Sequence, residues 1–110
     1  MDMEFNQEEY VRQVLEAYRK TPGTMGMVLR ADRLLAAQLY QRGLSLKVIE
    51  NALLLGATRR LFRPADAPPL GTIRSLAYFL PVIEEVRELR VSSAYFEYLR
   101  SKLARGGSTR

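Results

Sequence analysis

The sequence predicts an all-α fold, a compact single-domain bundle of about five helices. Three observations lead there. Apolar residues recur at i, i+3, i+4 and i+7 in successive stretches, the spacing of one buried helix face. No stretch alternates with period two for long enough to form a strand. Capping residues and Pro/Gly breaks separate the stretches at helix-length intervals. The 110 residues fit one domain over residues 1–104, with a flexible basic tail at residues 105–110. A hydrophobic content of 47% and a charged content of 26% exclude wholesale disorder.

The first helix spans about residues 7–20. Asn6 caps it, Glu9 stands at the capping-box position, and Phe5 and Tyr10 flank them at staple spacing. Val11, Val14, Leu15 and Tyr18 form its apolar stripe, and Thr21-Pro22-Gly23 ends it. Thr24 to Arg30 reads as a loop. The second helix runs from about Leu29 to Arg42, with Leu34, Leu35 and Leu39, and small Ala31, Ala36 and Ala37 between them, suited to close helix–helix packing and Gly43 supplying the left-handed C-terminal residue. Ser45 caps the third helix, about residues 46–62, with Leu44 and Ile49 as staple partners. Gly56 inside that helix costs about 1 kcal/mol relative to Ala, which a close helix crossing would explain.

The stretch from Arg63 to Leu70, with Pro64, Pro68 and Pro69, is an internal linker short enough to join helices of one domain. Thr72 caps a helix whose core stripe is Ile73, Leu76, Ala77 and Leu80, kinked at Pro81 and continuing through Val82, Ile83 and Val86. The alternative is two abutting helices, with Pro81 opening the second. Ser92 caps the last helix, with Val91 and Phe96 at staple spacing and Phe96, Leu99 and Leu103 along one face.

The net charge of +5 is unevenly spread. Residues 1–18 carry one Arg against five acids, and residues 19–63 carry nine bases against Asp32 and Glu50, a net +7. The densest group is Arg59-Arg60-Leu61-Phe62-Arg63. Cations there complement the dipole of a helix C-terminus, and they also suit a phosphate backbone or an acidic partner. Phe62 either offers a stacking face or packs under the proline loop. Glu84 to Arg90 reads as a solvated, charge-paired helix face.

The absence of His and Cys removes imidazole and thiolate metal ligands, the commonest general base and cysteine nucleophiles. The glycines lack phosphate-loop spacing, and Ser45 and Ser92 have no base beside them. The expectation is therefore a non-enzyme with no cofactor and no metal. With no apolar run of membrane-span length, it is expected to be cytoplasmic.

Over Tyr18 to Val86 the order of elements resembles the small helical domains of DnaD-like primosome and replisome accessory proteins. Three segments carry the resemblance: Leu-Tyr-Gln-Arg-Gly-Leu-Ser at 39–45, Ile-Glu-Asn-Ala at 49–52, and Ser-Leu-Ala-Tyr-Phe-Leu-Pro-Val-Ile at 75–83. Pro81 stands where that family has Ile or Leu, and the family's following Trp is absent. Asp-Arg-Leu-Leu-Ala and Arg-Arg-Leu-Phe-Arg-Pro are similar to segments of bacterial proteins linked to mobile elements. The resemblance implies DNA and a protein partner from replication or transposition.

Two functional expectations follow. The first is a nucleic-acid-binding accessory module contacting DNA or RNA through Arg59, Arg60 and Arg63, helped by Arg30, Arg33, Lys47, Arg100, Lys102 and Arg105. A helix-turn-helix form of this reading would use the turn at Gly43 and offer Lys47, Glu50 and Asn51 to bases. The second is a protein–protein adaptor or homo-oligomer, with Met25, Met27, Tyr95 and Tyr98 as contact residues.

Overall fold

The structure, a computed structural model, describes residues 6–88 and 93–108. These residues form five α-helices: α1 (Gln7–Lys20), α2 (Arg30–Gln41), α3 (Leu46–Leu61), α4 (Leu80–Glu88) and α5 (Ser93–Ser108). A short 3-10 helix, Leu76–Phe79, runs directly into α4. The fold is all-α: among the described residues the only β-type contact is one isolated parallel bridge between Thr24 and Ile73. Helix α3 is the centre of the bundle and packs against α1, α4, α5 and the 3-10 helix, while α2 leans on α1.

Local chemistry sets most helix ends. Asn6 accepts the Glu9 backbone N–H at 2.8 Å, so the N-cap of α1 forms as expected. The Glu9 carboxylate does not close the reciprocal half of the box, because it accepts from Arg12 and Gln13. Phe5, its expected staple partner, lies outside the described residues. Ser45 Oγ accepts from Val48 N–H at 3.1 Å, and Gly43 takes φ +80° directly after α2. Ser92 and Val91 also lie outside the described residues. Helix α5 continues to Ser108, so the backbone at 105–108, assigned above to the tail, is helical.

The largest departure from expectation is at residues 72–80. No α-helix starts at Thr72. The backbone of Ile73 is engaged elsewhere: its N–H donates to Gly23 O at 2.8 Å and its C=O accepts from Met25 N–H at 3.0 Å. These bonds hold residue 73 extended beside the turn after α1. Pro81 would in any case clash with the carbonyl of residue 77 in a continuous α-helix. The chain instead makes a 3-10 turn over Leu76–Phe79, and Pro81 sits in the first turn of α4, where its missing N–H is harmless. The single kinked helix is thus not formed; the alternative of two abutting helices holds, the first of them 3-10 and Pro81 in the first turn of the second, and Leu76 and Phe79 enter the core while Ala77 faces solvent.

Phe79 explains Gly56. A Cβ at residue 56 would lie 2.8 Å from Phe79 Cε1 and 2.9 Å from Cδ1. The missing side chain admits a fully buried ring from the 3-10 helix. Leu34 departs the other way. Its spacing suits close helix–helix packing, but it is 54% exposed because α2 buries only the stripe of Asp32, Ala36 and Leu39.

Asp32 is the most unusual member of that stripe. Its carboxylate is 2% exposed and makes no ion pair among the described residues. Oδ2 accepts the Leu29 N–H at 2.9 Å, which caps α2 from within its first turn. Oδ1 accepts the Leu76 N–H at 2.9 Å, which fixes the start of the 3-10 helix. Two chain segments 44 residues apart therefore meet on one buried charge. Burial, with the charge of Asp32 adding to it, raises the pKa of the nearby Tyr18 phenol.

Asp32→Ala is expected to lower stability by about 2–4 kcal/mol, since it leaves the buried Leu76 N–H and the part-buried Leu29 N–H without their acceptor. Urea unfolding measures this, and a loss below about 1 kcal/mol would refute the role assigned to the carboxylate. A second expectation concerns Tyr10, whose hydroxyl donates to Leu44 O at 2.8 Å and whose burial pushes its pKa from 10.0 to about 12. The folded state holds that proton to higher pH than the unfolded chain does. The stabilisation is therefore complete below pH 10 and lost as the pH rises toward 12. Tyr10→Phe should be less stable than the wild type at neutral pH by about 1 kcal/mol, with the gap closing over that alkaline window. A gap independent of pH would contradict this.

Candidate nucleic-acid interface

The basic C-terminal end of α3 is built from four segments. Arg59 and Arg60 occupy the last turn of α3, complementing its dipole, and Phe62 and Arg63 follow at the exit. The 3-10 helix brings Tyr78 alongside, and α5 brings Lys102.

Each arginine here has a defined intramolecular partner. Arg59 forms a bidentate pair with Glu85 of α4, Nη1 to Oε1 at 2.8 Å and Nη2 to Oε2 at 2.6 Å. The guanidinium holds the Glu85 carboxyl below the usual carboxylate range. Arg60 donates from Nη1 to the Tyr78 hydroxyl at 3.1 Å and from Nη2 to Gly71 O at 2.6 Å. Its Cζ lies 5.5 Å from the centroid of the Tyr78 ring. Gly23 leaves room for it: a Cβ there would come within 3.1 Å of Arg60 Nε, and Gly23 already takes φ +94°. Arg63 donates to Pro68 O at 2.6 Å, closing the proline loop back onto α3.

These contacts position the guanidiniums and leave them capacity. A guanidinium has five N–H donors. Arg60 spends two of them and Arg63 one on carbonyl or hydroxyl oxygens, and neither pairs with a carboxylate among the described residues. Both line two adjacent shallow clefts. One, of about 260 Å³, is walled by Pro22, Gly23, Leu61 and Leu70. The other, of about 300 Å³, is walled by Gly56, Arg59, Tyr78 and Val82.

Phe62 keeps part of its ring in solvent. It is 39% exposed, and the Lys102 ammonium sits 4.7 Å from its ring centroid. Tyr78, which sequence reasoning missed, is 45% exposed beside Arg60. Its signal was present only as a tyrosine next to a core phenylalanine, and the 3-10 geometry turns one outward and the other inward.

The other expected basic residues are dispersed. Lys47 is at the opposite end of α3, about 18 Å away along the helix axis. Arg30 and Arg33 are exposed in the first turn of α2, and Arg33 lines a groove between α1 and α2 rather than either cleft. Arg100 pairs with Glu97 at 3.1 Å and reaches Asn51 Oδ1 at 3.4 Å. The backbone of Arg105 is helical, and its side chain lies outside the described residues. Of the residues that a helix-turn-helix would offer to bases, Lys47 is exposed and Glu50 and Asn51 are half-buried, while the rest of α3 packs against α1, α4, α5 and the 3-10 helix. The acidic run at 84–88 is more than a solvated face: besides Glu85 with Arg59, Glu84 pairs with Arg42 at 2.8 Å and with Arg87 at 3.1 Å.

Met25, Met27, Tyr95 and Tyr98 do not converge. Met25 is half-buried, and its N–H is bonded to Ile73 O. Met27 is exposed in the loop before α2, whereas Tyr95 and Tyr98 are exposed on α5, which packs on α3. Among the described residues no three His, Cys, Asp or Glu side chains cluster to hold a metal ion. No helix among them is long and apolar enough to cross a membrane. The chain matches no protein-family model, no curated protein and no solved structure.

Proposed function

We propose that the protein is a non-catalytic nucleic-acid-binding accessory module that grips the sugar–phosphate backbone with the basic end of α3. The observation that carries this is the pair Arg60 and Arg63. Both are positioned by bonds to neutral oxygens, both lack a carboxylate partner among the described residues, and both border the same two clefts. Such donors contact phosphate without choosing a sequence. Lys102 over Phe62 extends the positive surface onto α5. A setting in replication or mobile-element DNA transactions is proposed on the resemblance of 39–45, 49–52 and 75–83 to DnaD-like domains.

A second reading, a protein–protein adaptor, has one observation in its favour. A groove of about 820 Å³ between α1 and α2 has Val11, Leu15, Val28 and Ala37 among its lining, and Met27, Leu29 and Leu34 are exposed on the loop and on α2.

Fluorescence anisotropy with labelled single-stranded DNA, duplex DNA and RNA distinguishes the two. Binding is expected at low salt, falling at least tenfold in the combined Arg60→Ala and Arg63→Ala variant, a loss of about 1.4 kcal/mol. The combined Arg30→Ala and Arg33→Ala variant should bind nearly as the wild type does. Absence of binding to every probe at low salt would refute the proposal, and a concentration-dependent oligomer would then favour the adaptor.

A further inference from the structure

The two clefts have the layout of one step of a single strand. Between them stand Arg60 and Arg63, the residues that line both. On one side the walls are apolar, Pro22, Leu61 and Leu70. On the other, the wall includes the aromatic ring of Tyr78 beside the methyls of Val82. Volumes of about 260 and 300 Å³ lie at or just below the small end of ligand pockets, a size for single flat rings rather than extended ligands. Cation, then apolar or aromatic wall on either flank, is the order phosphate, then base on either flank.

We infer that Arg60 and Arg63 hold the bridging phosphate of a dinucleotide step in single-stranded nucleic acid, with its two bases in the flanking clefts, one of them stacked on Tyr78. This rests on the nucleic-acid reading above and adds strandedness and base contact to it. Duplex cannot make the contact, because its bases are stacked on one another and paired, whereas a single strand can turn successive bases outward. The contact is tolerant of sequence, since every base has a π-face. The bond from Arg60 to the Tyr78 hydroxyl couples the two halves: the same guanidinium that meets the phosphate also orients the ring. Gly71 O holds Arg60 from a third side, so it enters the complex already positioned.

The test uses the full chain and four short fluorescein-labelled probes: single-stranded DNA, the matching RNA, the DNA duplex, and an abasic deoxyribose-phosphate strand of equal length. Both single strands are expected to bind about tenfold or more tightly than the abasic strand and the duplex. Tyr78→Leu should weaken single-strand binding about tenfold and leave the abasic strand unchanged, while Tyr78→Phe, which keeps the ring, should stay within about threefold of the wild type. A thermal melt of each variant establishes folding. A preference of RNA over DNA, or the reverse, identifies which strand the step fits. If abasic strand and single strand bind equally, or Tyr78→Leu weakens both alike, the base contact is wrong while backbone binding stands. If no probe binds, the underlying nucleic-acid reading fails with it.

Discussion

One buried carboxylate organises the part of this fold that local sequence does not. Asp32 takes a backbone N–H on each oxygen, from Leu29 at the start of α2 and from Leu76 at the start of the 3-10 helix. A charge so enclosed is tolerable only because both oxygens are bonded and the α2 N-terminus points its positive end at it. By fixing Leu76, the carboxylate sets the phase of the next three residues. Phe79 then enters the space left by Gly56, and Tyr78 turns out to meet Arg60. The distance from buried anion to surface cation is thus one short turn of 3-10 helix. Core packing and site geometry have a common cause.

The basic character of the chain changes meaning once it is folded. Nine bases between residues 19 and 63 suggest a broad positive field. The fold neutralises much of it: Arg19 and Lys20 pair with Glu16, Arg42 with Glu84, and Arg59 with Glu85. These exposed pairs do little for stability, but they cancel charge where they stand. What persists near the α3 exit is a small group, Arg60, Arg63 and Lys102, each lying against a carbonyl oxygen or an aromatic ring. Such a group is a small, locally positioned cluster of cations rather than a uniformly charged face.

Elements governed by near neighbours were legible in the sequence. The caps at Asn6 and Ser45, the left-handed Gly43 and most of the apolar stripe of α1 depend on residues within four positions and agree with the structure, Tyr10 taking the buried place expected of Val11. What failed depended on distant partners. The spacing of Ile73, Leu76 and Leu80 suits an α-helix, but Gly23 and Met25 claim the backbone of Ile73 from across the molecule. Asp32 counted only as one of two acids in a basic segment, because nothing near it names Leu76 as its partner. Of the site, Arg60 and Arg63 were legible as a charge cluster. Tyr78 was not, since its orientation follows from the 3-10 turn, and the pairing of Arg59 needs α4 folded against α3.

The measurement that separates a small built contact from diffuse basicity is the salt dependence of single-strand binding. For single strands the slope of log K against log salt is about −0.7 per phosphate neutralised. Contact of Arg60 and Arg63 with one phosphate and of Lys102 with a second predicts a slope of about −1.4. A slope near −5, as the whole +7 of residues 19–63 would give, contradicts the account, and so does binding that does not respond to salt.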